Sequence, residues 1–222
     1  MAKIYLSPAA HGVDNPCSYD KKCGENKHCN AYLDELEPYL KACGIQYKRA
    51  NKKNTGNNLS KTIAESNAYK PDIHYTCHTN AFNGTVSGSR PHVWLKSGNG
   101  KKWAEIILKH RKKIYPYPCS VKDGSSFAEV KGTTAVAIYE ELVFHDNKDD
   151  ITWFHKNMRK MAEYTARAFC EIFGIKFVDP YYVPPKPAPK PKKYAVQIGA
   201  FDTLAQADDV AGLFKSAKVI EV

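Results

Sequence analysis

Long apolar runs are missing from this chain. No stretch approaches the ~18 consecutive apolar residues of a membrane-crossing helix, so membrane insertion is not expected. The opening Met1-Ala2-Lys3-Ile4-Tyr5-Leu6 has no apolar h-region and no cleavage site. No secretory signal is therefore expected, and the chain is expected to stay in the cytoplasm until something releases it. No nucleic-acid-reading motif is present, and the lysines are scattered rather than set on one helix face. Nucleic acid is not an expected partner. The seven cysteines contain no CxxC chelate, which argues against a zinc module at Cys17, Cys23, Cys29 and the adjacent His28. An odd count without a signal argues against a disulfide framework. Reduced thiols are expected, with Cys29 and Cys43 on the core face of a helix.

What is present is a chain of 222 residues, 43% hydrophobic, with a formal net charge of +10 and a sequence pI of about 9.1. That length allows one well-buried domain plus a small appendage. A basic balance favours a polyanion: nucleic acid, an anionic membrane or an acidic cell wall. Charge alone does not choose among them.

Elements alternate along the chain. Ile4 to Leu6 reads as a strand. Cys29, Leu33, Leu36, Leu40 and Cys43 fall at helical spacing over about 25–43, interrupted by Pro38 and followed by Gly44 as a C′ residue. Ile45 to Tyr47 is a second strand. Ser60 is placed to cap a helix reaching about Tyr69. Asp72 to His78 is a third strand and His92 to Leu95 a fourth. Trp103, Ile106, Ile107 and His110 share one helical face. Ala135 to Glu140 is almost wholly apolar until its end, the pattern of a strand covered on both faces. Met158 to Ile172 marks a long last helix closed by Gly174. Strands alternating with helices predict an α/β fold, a largely parallel twisted sheet with helices on both faces.

This domain is expected over 1–179. A Pro/Lys spacer over 180–193, extended as polyproline II, leads to a segment at 194–222. There a strand over 194–201, a helix over 205–215 and a second strand from 217 form a short βαβ-like unit.

Ligands of open α/β sheets sit at the carboxyl ends of the strands. His11 follows the first strand, His78 ends the third and Glu141 ends the last. Glu25 opens the first helix, fourteen residues after His11. Two imidazoles and one carboxylate with an open position make a catalytic zinc set. A further unligated carboxylate can move the proton. Periodicity does not choose between the neighbours Glu140 and Glu141, which alternate to opposite faces.

The chain resembles the zinc-dependent N-acetylmuramoyl-L-alanine amidases over about residues 3–175. The resemblance rests on His11 after the first strand and Glu25 opening a helix. It rests also on His78-Thr79-Asn80-Ala81 and on Glu141-Leu142-Val143-Phe144, Asn147 and Asp150. In that family's last motif only Val143 departs, from Gly. The acidic residue usual before the first His is absent, since Ser7-Pro8-Ala9-Ala10 precede His11. The resemblance implies a phosphorylase/hydrolase-like fold and one Zn2+ held by His11, Glu25 and His78. It also implies Glu141 as the catalytic acid/base, with Asn80 and Asn147 adjacent to ligands or substrate. Asp14 and Asp20 are the alternatives to Glu25 as third ligand.

The implied substrate is bacterial peptidoglycan, cut between N-acetylmuramic acid and L-alanine, with anionic wall polymers as further partners. The opening resembles the phage-endolysin branch. A mother-cell autolysin of the same chemistry and a zinc peptidase on the stem peptide are the alternatives. Residues 194–222 resemble half of a SPOR wall-binding domain, with two open readings: two such halves pair into a homodimer through the tails, or the tail is disordered or loosely docked.

Overall fold

The computed structural model describes residues 1–9, 15–17, 24–50, 59–96, 98–184, 199–215 and 218–219. Two compact units divide the chain, Met1–Tyr182 and Val183–Val222.

In the first unit the elements run β1 (Lys3–Pro8), α1 (Glu25–Ala42), β2 (Gln46–Arg49), α2 (Leu59–Tyr69), β3 (Ile73–Asn80) and β4 (Arg90–Val93). They continue α3 (Gly100–Arg111), β5 (Lys122–Asp123), α4 (Ala128–Gly132), β6 (Val136–Phe144) and α5 (Lys148–Phe173). The six strands form one sheet, ordered β2-β1-β3-β6-β4-β5. All neighbours pair parallel except β4 with β6, which pair antiparallel. The fold is α/β with a mostly parallel sheet.

β3 lies between β1 and β6 and is buried through His78 and Thr79. Helices therefore cover it on both faces, as its unbroken burial requires. On α1 the buried positions Cys29, Tyr32, Leu33, Leu36 and Leu40 form the stripe that the spacing predicts. The helix runs through Pro38, and Gly44 follows at φ 69°. α5 closes at Gly174 in the left-handed region, φ 64°, where a glycine avoids the Cβ penalty. Ser60 sits within α2 rather than ahead of it. Two elements go beyond the pattern in the sequence. β5 is two exposed residues long and α4 only five, too short for any periodicity to register.

Each face of the sheet carries a buried polar network. On one, Arg111 from α3 donates through Nη2 to Glu140 Oε1 at 2.8 Å and to Thr165 Oγ1 at 3.0 Å. Glu140 also accepts from Tyr75 and from Ser89 Oγ at 3.0 Å. On the other, Glu129 Oε1 meets His74 Nε2 at 3.1 Å and accepts from Ser7 Oγ. His74 Nδ1 meets Ser66 Oγ at 2.8 Å.

The expectation of reduced thiols needs one correction. Cys17 is disulfide-bonded, while Cys29, Cys43, Cys77, Cys119 and Cys170 are free. An odd count excludes a fully paired framework but leaves room for a single bond.

In the second unit α6 spans Leu204–Ala211, capped by Thr203, whose hydroxyl accepts from the Gln206 amide. The helix expected there over 205–215 ends four residues sooner, at Ala211. Of the two strands expected around it, residues 194–198, 217 and 220 lie outside the described residues. The rest, 199–201 and 218–219, carry no strand. No helix among the described residues is long and apolar enough to cross a membrane.

Candidate active site

Glu25, His78 and Glu141 converge at the carboxyl end of the central strands. His78 and Glu141 are register partners on the parallel pair β3 and β6, so they share one face of the sheet. Glu25 is the first residue of α1, where a carboxylate is favoured by the helix dipole. Its Oε1 lies 2.9 Å from His78 Nδ1 and accepts from the Thr79 amide at 3.1 Å. Its Oε2 accepts from Asn15 Nδ2 at 2.7 Å. The His78 ring stacks on Tyr139, centroids 4.2 Å apart. Both members of the pair are therefore held from several sides, and both are nearly sealed from solvent.

Glu141 does not end its strand, because β6 continues to Phe144. It sits instead at an irregularity: His78 pairs with Glu141, but Asn80 pairs with Phe144. Three steps along β6 match two along β3, so β6 holds one extra residue. Such a bulge re-aims side chains, and here it puts both Glu141 and Phe144 on the face of His78.

Glu140 and Glu141 differ in their partners. Glu140 is wholly buried, its oxygens taken by Arg111, Ser89 and Tyr75. Glu141 keeps a buried Oε2 with no hydrogen-bond partner among the described residues. Burial first, and the Glu25 charge second, push its carboxyl up to about 8, against a downward pull from Arg90. A carboxyl so tuned accepts and returns a proton near neutral pH.

The rest of the Glu141–Asp150 motif serves the scaffold. Asn147, expected beside ligands or substrate, caps α5: its Oδ1 accepts from the amides of Asp149 at 3.0 Å and Asp150 at 3.1 Å. Asp150 is buried and accepts from the Phe144 amide at 2.9 Å, the Gly88 amide at 3.1 Å and Tyr115. It ties the end of β6 to the start of α5. Gly88 is needed at that contact, since φ is 137° and a Cβ there would lie 2.6 Å from the Pro118 oxygen. Asn147→Ala is expected to lower stability by about 1 kcal/mol, the typical worth of an N-cap. Urea denaturation would read this, and a change below about 0.3 kcal/mol would contradict it.

Asn80 is half-buried at the end of β3. Its Oδ1 accepts from the Ala81 amide at 2.8 Å, and its carbonyl from the His145 amide at 2.8 Å. This joins the two loops that flank the site. The same joint is reinforced by Asp146, whose Oδ2 accepts from the amides of Phe82 at 2.8 Å and Gly84 at 2.9 Å. Phe82 itself is 76% exposed. Nothing local in the sequence marks Asn15, Tyr139, Arg90 or Asp146 as belonging here; pairing and loop closure bring them in.

His11 lies outside the described residues, as do Asp14 and Asp20. Among the described residues no group of three His, Cys, Asp or Glu side chains is placed to hold a metal. The described pair does fit a cation. Two donors on one zinc, each about 2.0–2.2 Å from it in tetrahedral array, lie about 3.4 Å apart. Glu25 Oε1 and His78 Nδ1, at 2.9 Å, need to part by only about half an ångström. The Asn15 and Thr79 contacts are the outer support that orients a ligating carboxylate.

Comparison with known proteins agrees with this architecture. The catalytic domain of the amidase CwlV from Bacillus (Paenibacillus) polymyxa var. colistinus superimposes with a TM-score of 0.69 at 16% identity. The match covers 79% of this chain and 100% of that one. AmiC2 of Nostoc punctiforme, an N-acetylmuramoyl-L-alanine amidase, gives 0.70 at 13%, covering 78% and 97%. The catalytic domain of the CD27L endolysin, which targets Clostridia difficile, gives 0.64 at 17%, covering 77% and 96%. At such identities the likeness establishes the fold. Curated proteins give no sequence match. The family model for N-acetylmuramoyl-L-alanine amidase, by contrast, matches residues 4–171, most of the chain and all of the elements that build the site. This chain belongs to the N-acetylmuramoyl-L-alanine amidase family.

Proposed function

We propose that the chain hydrolyses the amide between the lactyl group of N-acetylmuramic acid and L-alanine of the stem peptide. One zinc ion would be held by His11, Glu25 and His78. Family membership supports the class of bond. The observation that carries the mechanism is the unpaired, buried Glu141 Oε2 on the face of His78.

Zinc, when bound, supplies a more acidic water and a polarised carbonyl. Glu25 and His78 are pre-set for it, since Asn15, Thr79 and Tyr139 fix their orientation. Glu141 takes the proton from the attacking water and delivers it to the amide nitrogen. The nitrogen leaves only once protonated, so a single carboxylate serves as base and then acid. Its Oε2 is open for this because no donor among the described residues occupies it.

The test is product analysis on purified wall. New N-terminal L-alanine on the stem peptides is expected; new ends within the stem peptide would instead mean a peptidase, and would overturn the reading. Metal content provides a second check. One zinc per chain is expected in the wild type by elemental mass spectrometry. His78→Ala and Glu25→Ala are each expected to retain less than about a tenth of it, in keeping with the loss of one ligand in three. Full occupancy in either variant would remove that residue from the ligand set.

We infer further that the enzyme reaches the wall by release from the cytoplasm, as an endolysin does. The formal charge of +10 suits an anionic wall, and an endolysin is among the fold neighbours. Lysis on expression is then expected only when a membrane-permeabilising holin is co-expressed. Lysis without it would contradict this.

A further inference from the structure

Glu141 has a basic neighbour that the mechanism above does not use. β4 runs antiparallel to β6, with Arg90 directly opposite Glu141. Side chains so paired stand on one face with Cβ atoms about 4.5–5.5 Å apart. A guanidinium and a carboxylate that close would be expected to form an ion pair, yet among the described residues none forms between them, and Glu141 Oε2 stays unpartnered.

The bulge in β6 explains why. It turns Phe144 onto the same face, and the Arg90 guanidinium lies over that ring, 4.6 Å from its centroid. Phe144 is itself only 1% exposed, so the platform is fixed. Stacking uses the flat face of a guanidinium and leaves its edge of N–H donors available. Arg90 is half-buried and makes no ion pair with any described carboxylate. The result is an oriented, uncommitted cation one strand away from the proton-moving group.

The chemistry of the stem peptide says what it would meet. The lactyl carboxyl is consumed in the scissile amide, and L-alanine carries no charge. The next residue is a D-glutamyl unit linked through its γ-carboxyl, which leaves its α-carboxylate free. That group lies one to two residues beyond the scissile nitrogen, at about 3.3–3.6 Å per residue. Neighbouring strands are about 4.8 Å apart, so Arg90 is within reach of this carboxylate on a bond seated at Glu141.

We propose that Arg90 is a specificity-determining residue that binds the free α-carboxylate of the D-glutamyl residue following L-alanine. This rests on the amidase reading above.

Two substrates test it: N-acetylmuramoyl-L-alanyl-γ-D-glutamyl-L-lysine and its isoglutaminyl counterpart, in which that α-carboxylate is an amide. For the zinc-loaded full chain, kcat/KM is expected to favour the γ-D-glutamyl compound by at least about tenfold, the ratio one charge-assisted hydrogen bond carries. The difference should lie in KM. Arg90→Gln should bring the ratio close to one, and Arg90→Lys should restore part of it. A wild-type ratio near one overturns the proposal. So does an Arg90→Gln variant that loses kcat equally on both substrates, since that is the signature of an effect on Glu141 or on the sheet.

Calorimetric binding of both compounds to Glu141→Gln, with and without Arg90→Gln, separates the two levels of inference. If the wild type frees L-alanine ends from neither compound nor from whole wall, the amidase reading fails. The binding ratio still decides Arg90, and equal or absent binding of the two overturns it.

Discussion

Glu141→Gln is expected to cut wall-hydrolysing activity by about a hundred- to ten-thousandfold, the range carried by a positioned acid/base, while zinc content and fold are kept. Gln is nearly the same shape, so the strand pairing with His78 and Arg90 should persist. What is lost is a group able to hold and return a proton.

The same substitution should stabilise the metal-free protein above neutral pH, because Glu141 is held at a cost to folding. Its carboxyl is raised from 4.5 to about 8, mainly by burial. Between those values the folded chain binds a proton that the unfolded chain has released. Stability from this group is therefore full below about pH 4.5 and falls as pH rises, until it is lost above about 8. At 1.36 kcal/mol per pKa unit the ceiling is about 5 kcal/mol, and about 3 kcal/mol once the residue's remaining solvent contact is counted. Urea titrations of chelator-treated wild type and Glu141→Gln at pH 5 and pH 9 would read this. The variant should gain on the wild type by about 3 kcal/mol on going to pH 9. A gap that does not change with pH would show that Glu141 is not buried as described. Full lytic activity in the variant would falsify its role as the proton carrier.

Arg111→Met carries the largest expected loss of stability. Arg111 and Glu140 are 1% and 0% exposed as side chains and bond at 2.8 Å. Removing the guanidinium leaves a carboxylate in the core, able to keep Tyr75 and Ser89 as donors but without a compensating charge. Breaking one side of such a pair destabilises by about 3–5 kcal/mol, against a total of about 5–15 kcal/mol for a domain. For a domain of this size the melting temperature should fall by roughly 6–20 °C. Arg111→Met with Glu140→Gln should recover part of this, since the unpaired charge is gone. A single variant within about 1 kcal/mol of wild type, measured in urea, would mean that the pair is not buried in solution. Glu140→Gln and Glu141→Gln thus make a sharp contrast. One change in the first carboxylate is expected to disturb the core, and the same change one residue later to silence the enzyme.

Much of the scaffold is legible in the residues alone. Cys29, Leu33, Leu36 and Leu40 mark α1 because a helix buries every third or fourth residue. The apolar run from Ala135 marks β6, because a strand covered on both faces tolerates little else. The placing of Glu25, His78 and Glu141 at one edge of the sheet is readable too, since ligands of such folds gather at strand ends. β5 and α4 are not legible. They are held by their neighbours and carry no period of their own.

The sequence by itself determined the alternation of strands and helices and which residue types reach the end of the sheet. The motif register points to Glu141 over Glu140, but only the tertiary structure gave the two adjacent carboxylates different partners. It did so through residues far away in the chain, Arg111 for Glu140 and, among the described residues, none for Glu141 Oε2. It likewise gave Asn147 the role of a helix cap and set Arg90 beside Glu141. The reason is physical. Periodicity reports which face a residue occupies, whereas a charge is fixed by what stands across from it. A bulge and an antiparallel strand are settled by pairing between segments dozens of residues apart.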